Sequence, residues 1–241
     1  MIAHAFHIGI YLPLYNGLVF LIDKVPGHDV GIAVIILTLV VKFVLFPLSL
    51  RVARTQEEQK KITPLLEEIK KKHKGNKQAE AEATMALYRT HNIHPFSGIL
   101  LLLIQLPILF GLYFVFARGG LPTIDPALLF HFVMVPASVS MEFFGFINMA
   151  ANHSIILAAL AGLSQFVYAR LSAPPPPGEK GSFQADMAKS MNVQIRYVLP
   201  VIIAVISYGL AAAVPLYWLT SNLFMIVQEY VVRKHVRAAR T

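Results

Sequence analysis

The sequence predicts an all-α polytopic membrane protein: a bundle of five transmembrane helices with a cytoplasmic helical hairpin and an N-terminal interfacial helix. Composition is the first reason, because 56% of the 241 residues are hydrophobic and only 14% are charged, whereas soluble domains carry about 25% charged residues. The mean hydropathy of +0.60 agrees with this. The other reasons are the number of long apolar segments and the placement of the positive charges between them.

Five apolar segments approach the roughly 20 residues that are needed to cross the hydrocarbon layer. They are residues 30–50, 98–117, 153–171, 197–213 and 214–232. Only a few residues around Val214 and Pro215 separate the last two, which predicts a tight helical hairpin. Two further apolar segments, 8–25 and 127–149, are interrupted by proline and charged residues. They fit better at the membrane interface than across it, so the predicted N-terminal interfacial segment is 1–29.

The positive charges orient the predicted spans. With five spans and the N-terminus outside, segments 51–97, 172–196 and 233–241 face the cytoplasm, and 118–152 is an extracytoplasmic loop. All of the 21 Lys and Arg residues except Lys24, Lys42 and Arg118 then lie in those cytoplasmic segments or, for Arg170, at the adjoining end of a span. This distribution follows the positive-inside rule.

The cytoplasmic segments have distinct compositions. In 51–97, apolar residues recur at helical spacing on both sides of a turn-like sequence at 73–77, which predicts two antiparallel helices. Pro64 should kink the first helix or mark a restart. The segment 172–196 contains four consecutive prolines and predicts a semi-rigid connector, and 233–241 is a short basic tail.

Lys42 is the leading candidate for a functional residue. It lies 8 residues before the end of the first predicted span, which is about 12 Å below the cytoplasmic boundary at 1.5 Å per residue. An ammonium facing lipid at that depth costs about 3 kcal/mol or more. Lys42 should therefore face a hydrated pocket or a partner, although a lysine that merely snorkels to the interface is an alternative.

Other polar residues interrupt the predicted spans and could line the same pocket. Singly, such residues are more often helix–helix hydrogen bonds than substrate contacts. The candidates are Thr38, Gln105, Gln165 and Asn222.

Sequence signatures of enzymes are not found. The chain has no cysteine, which excludes disulfides and thiolate metal sites. No G-x-S-x-G elbow, phosphate-binding loop or dinucleotide fingerprint occurs. We predict no metal site and no cofactor, and we predict that the protein is not an enzyme.

Three stretches resemble the YidC-type membrane insertase family. IILTLVVKFVLFPL (35–48) is similar to the first core span, MALYRTHNIHPFSGILLLLIQLPILFGLY (85–113) to the second, and PLYWLTSNLFMIVQEYVV (215–232) to the last. The lysine-rich hairpin lies between the first two, as in the family. The resemblance extends from about residue 14 to residue 237, in the family's order.

The resemblance implies five helices around a hydrophilic groove that opens to the cytoplasm and to lipid. Lys42 stands where the family usually has arginine, which keeps its charge in nearly any setting, whereas a buried lysine loses its proton more easily. Polar flanks of substrates would enter this groove, lined by Lys42 and the candidates above. Substrate helices would leave into lipid along an apolar slide. Its candidate residues are Leu106, Pro107, Tyr113, Tyr217 and Trp218.

The implied partners are nascent membrane proteins and the lipid bilayer, with the Sec translocon and the ribosome as further candidates and a monomer as the working unit. The implied location is the bacterial plasma (inner) membrane, with the C-terminus cytoplasmic. Two other functions stay open from the residues alone. One is a small transporter or channel with Lys42 as an anion site, and the other is a holding chaperone for membrane protein assembly.

Overall fold

A computed structural model describes residues 2–91, 97–172, 190 and 192–238 as a predominantly helical chain. The proline-rich part of the predicted connector and the last three residues of the predicted tail lie outside this range. The helices are α1 Ile2–Phe6, α2 Leu12–Lys24, α3 Val30–Val44, α4 Phe46–Lys72, α5 Lys77–Thr90, α6 Ser97–Arg118, α7 Ile155–Ser172, α8 Leu199–Tyr208 and α9 Ala213–Ala238.

The N-terminal helices form one helical run. A π-helical turn, His7–Tyr11, joins α1 to α2, and the run packs against α3 through buried residues of α2 that include Tyr15, Leu18 and Ile22. Its segment Ala3–Lys24 is long and apolar enough to cross a membrane. The predicted interfacial position of this segment therefore stays a prediction.

A single carboxylate fixes the start of α3. Asp29 Oδ1 accepts hydrogen bonds from the backbone N–H groups of Gly31 at 2.7 Å and Ile32 at 3.1 Å, which caps the helix. Its Oδ2 accepts a third from the backbone N–H of Phe144 at 3.0 Å. The same side chain thus holds the loop between α6 and α7 against the end of α3.

The first predicted span is bent. α3 ends at Val44, and the axis turns by 64° into Phe46–Gln59 of α4. Pro47 lacks the N–H that would continue the α3 hydrogen-bond ladder, which explains the bend. The predicted span over 30–50 therefore contains a bend, and Lys42 lies only about 3 Å along the axis from the end of α3.

α4 and α5 form the helical pair that follows the bend. A turn at 73–76 joins them, and the Asn76 side chain caps α5 by accepting from the N–H of Ala79 at 3.1 Å. α4 continues through Pro64 as one helix, so the restart considered for that position does not occur. Ile62 is buried, while Leu65 is exposed, so the apolar seam is thin.

The loop between α6 and α7 contains a small β-hairpin, which an all-α prediction did not include. β1 Glu142–Phe143 pairs antiparallel with β2 Ile147–Asn148. The loop also packs on α2, where Tyr15 Oη accepts a hydrogen bond from the backbone N–H of Asp125 at 3.1 Å. Strands of two residues are too short to leave an alternating pattern in the sequence.

α7, α8 and α9 pack together, and α9 also packs against α3. The turn between α8 and α9 lies at 209–212, because α9 already begins at Ala213. The expectation that Val214 and Pro215 form this turn was wrong. Proline is tolerated in the first turn of a helix, where its missing N–H would have no partner, so Pro215 here starts a helix.

Length and composition alone identify two described helices that could cross a membrane, Ala3–Lys24 and Ile155–Ser172. A third is added if the bent pair α3 and α4 counts as one span. Two apolar stretches are shorter, namely Gln105–Arg118 within α6 and Gln194–Tyr208, which ends with α8. The mostly helical fold agrees with the predicted class, and the count of five spans stays a prediction.

Gly162 sets the distance between α7 and α8. A Cβ added there would lie 2.8 Å from Ala204 Cβ and 3.1 Å from the Pro200 carbonyl oxygen. We expect Gly162→Ala to push the helices apart at a cost of about 1–3 kcal/mol, of which helix propensity offsets about 1 kcal/mol. At the middle of that range the net loss is about 1 kcal/mol, so the melting temperature in detergent, followed by circular dichroism, should fall by about 2–4 °C.

Gly9 offers the matched control, because a Cβ there meets no atom within 4 Å. Gly9→Ala should leave the melting temperature unchanged or raise it slightly. An equal effect of both substitutions would contradict the role assigned to the α7–α8 contact.

Candidate functional site

Lys42 is buried inside the bundle, with 6% of its surface exposed. Its Nζ donates a hydrogen bond to Gln105 Oε1 at 3.0 Å. Gln105 lies on α6, so the contact joins α3 to α6 across 63 positions of sequence. Lys42 therefore points to a partner inside the bundle, and the alternative of a lysine that snorkels to the surface is not what the structure contains.

Gln105 continues the contact to a third helix. Its Nε2 donates to the phenolic oxygen of Tyr217 on α9. Lys42, Gln105 and Tyr217 thus form a chain of hydrogen bonds from α3 through α6 to α9, and we call them the polar triad. An amide suits the middle position because it accepts through its oxygen and donates through its nitrogen.

The polar triad contains no acid. Within the part of the chain that the structure describes, no carboxylate forms an ion pair with Lys42, and the ion pairs found there include Lys24–Asp23 and Lys61–Glu58. A neutral amide satisfies one of the three ammonium protons without cancelling the charge. Among the described residues, Lys42 is consequently a buried ammonium without a counter-ion.

Thr38 lies one turn before Lys42 and is also buried. Its Oγ1 donates to the backbone oxygen of Val34 in the same helix at 2.6 Å. This hydrogen bond uses the hydroxyl proton, so the side chain presents only an acceptor to its surroundings. The structure therefore places Thr38 near Lys42 but does not include it in the polar triad.

Asn222 belongs to a second polar contact, between α9 and α7. Its Nδ2 donates to Ser164 Oγ at 3.1 Å, and that hydroxyl donates to the Ala161 backbone oxygen at 2.9 Å. Gln165 is buried beside Ser164, and neither Gln165 nor Asn222 contacts the polar triad through a hydrogen bond. Sequence reasoning missed Ser164, although its position directly before Gln165 in an apolar helix was a usable signal.

A third polar contact lies where α4 begins. Ser49 Oγ hydrogen-bonds Gln228 Oε1 of α9 at 2.8 Å, and Gln228 Nε2 is buried with no partner among the described residues. Glu229 is buried next to it. Buried polar groups thus occur along α9 from Tyr217 to Glu229, a distance of about 18 Å along the axis.

The candidate slide residues divide between two environments. Leu106 is exposed, and Pro107, Tyr113 and Trp218 are half-buried, whereas Tyr217 is buried in the polar triad. Neighbouring residues on a helix point about 100° apart, so Tyr217 and Trp218 face different surroundings. The motif L-Y-W gave no means of telling which aromatic ring points inward.

The outer faces of these same helices are apolar. Large exposed hydrophobic side chains lie on α3, α6, α7, α8 and α9; they include Phe43, Phe110, Leu163, Val205 and Val227. Polar groups inside and apolar groups outside are the arrangement expected when lipid is the solvent. The fold and the buried cation therefore define a multi-pass helical membrane protein.

Comparison with known families makes the assignment specific. The family model of the 60Kd inner membrane protein matches residues 21–239. The chain belongs to this family, which confirms the predicted resemblance and, with the apolar helices, supports an inner membrane location.

Similar proteins named membrane protein insertase YidC occur in several bacteria. One from Fusobacterium nucleatum is 34% identical over 228 residues, covering 93% of this chain and 97% of that protein. One from Clostridium tetani is 32% identical over 209 residues, with coverage of 87% and 84%. One from Magnetococcus marinus is 31% identical over 207 residues; the match covers 86% of this chain and 33% of that longer protein.

Proposed function

We propose that this chain is an insertase that moves the polar flanks of membrane proteins through a hydrophilic groove and releases their transmembrane helices into lipid. The observation that carries the proposal is Lys42, a buried cation held by a neutral amide. The names of its relatives and the family match support the same function.

The free energy of moving charge through hydrocarbon explains why such a groove is useful. An unassisted acidic or polar tail must leave water, at a cost of several kcal/mol or more. A hydrated groove part-way across the membrane shortens the apolar layer to be crossed. The charge of Lys42 then attracts an acidic tail. Gln105, Gln165 and Asn222 offer hydrogen bonds along its path, and Thr38 can accept them from backbone N–H groups of the tail.

The release step requires an apolar route. The exposed Leu106 and the half-buried Pro107, Tyr113 and Trp218 support a slide along α6 and α9. Tyr217 is also a candidate for the slide. It fits the inner edge of the slide, because the ring of Tyr217 is apolar while the hydroxyl accepts a hydrogen bond from Gln105. No covalent bond is made or broken, so the proposed activity is not enzymatic.

The proposed topology has five spans, the N-terminus outside, and the α4–α5 hairpin and the basic tail in the cytoplasm. The hairpin would meet nascent membrane proteins, with the Sec translocon and the ribosome as further partners. Nothing in the proposed route needs a second copy of the chain, so a monomer suffices.

The test is insertion of a single-span protein with a short acidic outer tail into proteoliposomes that contain the full chain. Protection of the tail from external protease is the measurement, with protein-free liposomes as the control. We expect protection only when the chain is present. Chloride flux in the same vesicles without tail protection would identify a channel or transporter. Binding of the substrate without protection would identify a holding chaperone, and either result would overturn the proposal.

A further inference from the structure

A cavity of about 260 Å³ lies between α2 and the loop that follows α6. The wall from α2 consists of Pro13, Gly17 and Phe20, and the loop contributes Phe130, Phe132 and Val133. The volume is just below the roughly 300–1,000 Å³ of pockets for drug-sized ligands. It therefore suits a single hydrocarbon chain better than a whole amphiphile.

The one polar side chain in the lining has its hydrogen bonds satisfied by the protein. Asn16 Nδ2 donates to the backbone oxygens of Leu12 and Leu128, both at 2.9 Å. Its Oδ1 accepts from the backbone N–H of Phe130 at 2.6 Å. The amide thus has no free donor for a ligand. An extended peptide, which needs partners for its backbone groups, fits this cavity poorly, whereas a hydrocarbon chain needs none.

A cation marks one end of the apolar wall. The Lys24 ammonium lies 5.9 Å from the centre of the Phe20 ring and contacts Asp23 at 2.8 Å. Its side chain is 55% exposed, so protons of the ammonium not used by Asp23 can reach an anion. From Lys24 the wall runs back along α2 to Pro13, about 16 Å along the axis.

The cavity adjoins exposed apolar surface. α2 is the end of Ala3–Lys24, an apolar helix long enough to cross a membrane. Phe20 and Phe132 at the cavity are 44% and 64% exposed. Along α2, the charged end at Lys24 is followed by an apolar surface. In the same way, the charged headgroup of a phospholipid is followed by its hydrocarbon chains.

We propose that this cavity binds one acyl chain of a phospholipid whose phosphate lies against Lys24. Phe20 and Phe132 close over the chain, and the loop after α6 is held on α2 partly through the bound lipid. This site is separate from the polar triad, and its occupancy does not depend on the insertase activity.

The test is native mass spectrometry of the full chain purified in detergent with added palmitoyl-oleoyl phosphatidylglycerol. We expect one lipid per chain to survive detergent removal, and Phe132→Ala to weaken its retention about tenfold. Lys24→Gln should weaken retention of this phospholipid while leaving retention of oleyl alcohol, which has a hydrocarbon chain but no charge, unchanged, and this separates the headgroup contact from the chain contact.

Phe146→Ala is the matched control, because Phe146 is 72% exposed on the same loop but does not line the cavity. It should retain the lipid like the unaltered chain. Equal retention in all variants, or equal loss in Phe132→Ala and Phe146→Ala, would overturn the site. Both side chains are exposed, so neither substitution should prevent folding, and circular dichroism checks this.

Discussion

Replacing Lys42 with alanine is expected to lower insertion of a substrate with a short acidic outer tail at least tenfold, whereas Lys42→Arg should insert it nearly as well as the unaltered chain. The attraction between an ammonium and a carboxylate about 4 Å apart is about 4 kcal/mol at an effective dielectric constant of 20. Desolvation offsets part of it, and 1.4 kcal/mol already corresponds to a factor of ten. The measurement is the initial rate of tail protection in proteoliposomes.

Two controls isolate the charge at that position. Lys74→Ala removes an exposed lysine from the turn between α4 and α5 and should leave insertion unchanged. A substrate whose tail carries glutamine in place of its acidic residues should depend little on Lys42. Undiminished insertion of the acidic tail by Lys42→Ala would show that this charge is dispensable.

The second large effect is expected from Gln105→Glu. It places a carboxylate where the amide oxygen now lies, 3.0 Å from the Lys42 ammonium, and the resulting ion pair would cancel the charge that attracts the substrate. Insertion of the acidic tail should fall about as far as in Lys42→Ala, although Lys42 itself is untouched. The same protease-protection rate measures it.

Gln105→Leu separates this effect from the loss of hydrogen bonds. It removes the contacts to Lys42 and Tyr217 but leaves the positive charge, so insertion should be affected less than in Gln105→Glu. Leaving buried polar groups without partners costs about 1–3 kcal/mol each, so the melting temperature should fall. If Gln105→Glu inserts acidic tails at the normal rate, insertion does not require an uncharged side chain beside Lys42.

The polar triad shows what sequence can and cannot predict about such a site. Lys42 and Gln105 were both identifiable, because each polar group interrupts an apolar segment. Their contact was not, because the relative height of α3 and α6 depends on packing between residues 63 positions apart. The direction of the Tyr217 ring depends on how α9 is rotated about its axis, which the apolar sequence around it does not reveal.

Where the fold differs from the sequence prediction, the causes are local. Pro47 lies inside the long apolar run that predicts the first span, and the 64° bend there follows from a single missing N–H. Pro215 was read as a turn residue because proline favours both turns and helix starts. Only the structure, where α9 begins at Ala213, separates these two uses of proline.

The bend between α3 and α4 makes α4 a lever with its pivot at Leu45. The helix has 27 residues and is about 40 Å long, whereas Ser49 lies only about 6 Å from the pivot. A swing of about 7 Å at the far turn therefore displaces Ser49 by about 1 Å. Any rigid swing of the hairpin about Leu45 would therefore leave the contact between Ser49 and Gln228, and the helix that carries Lys42, almost in place.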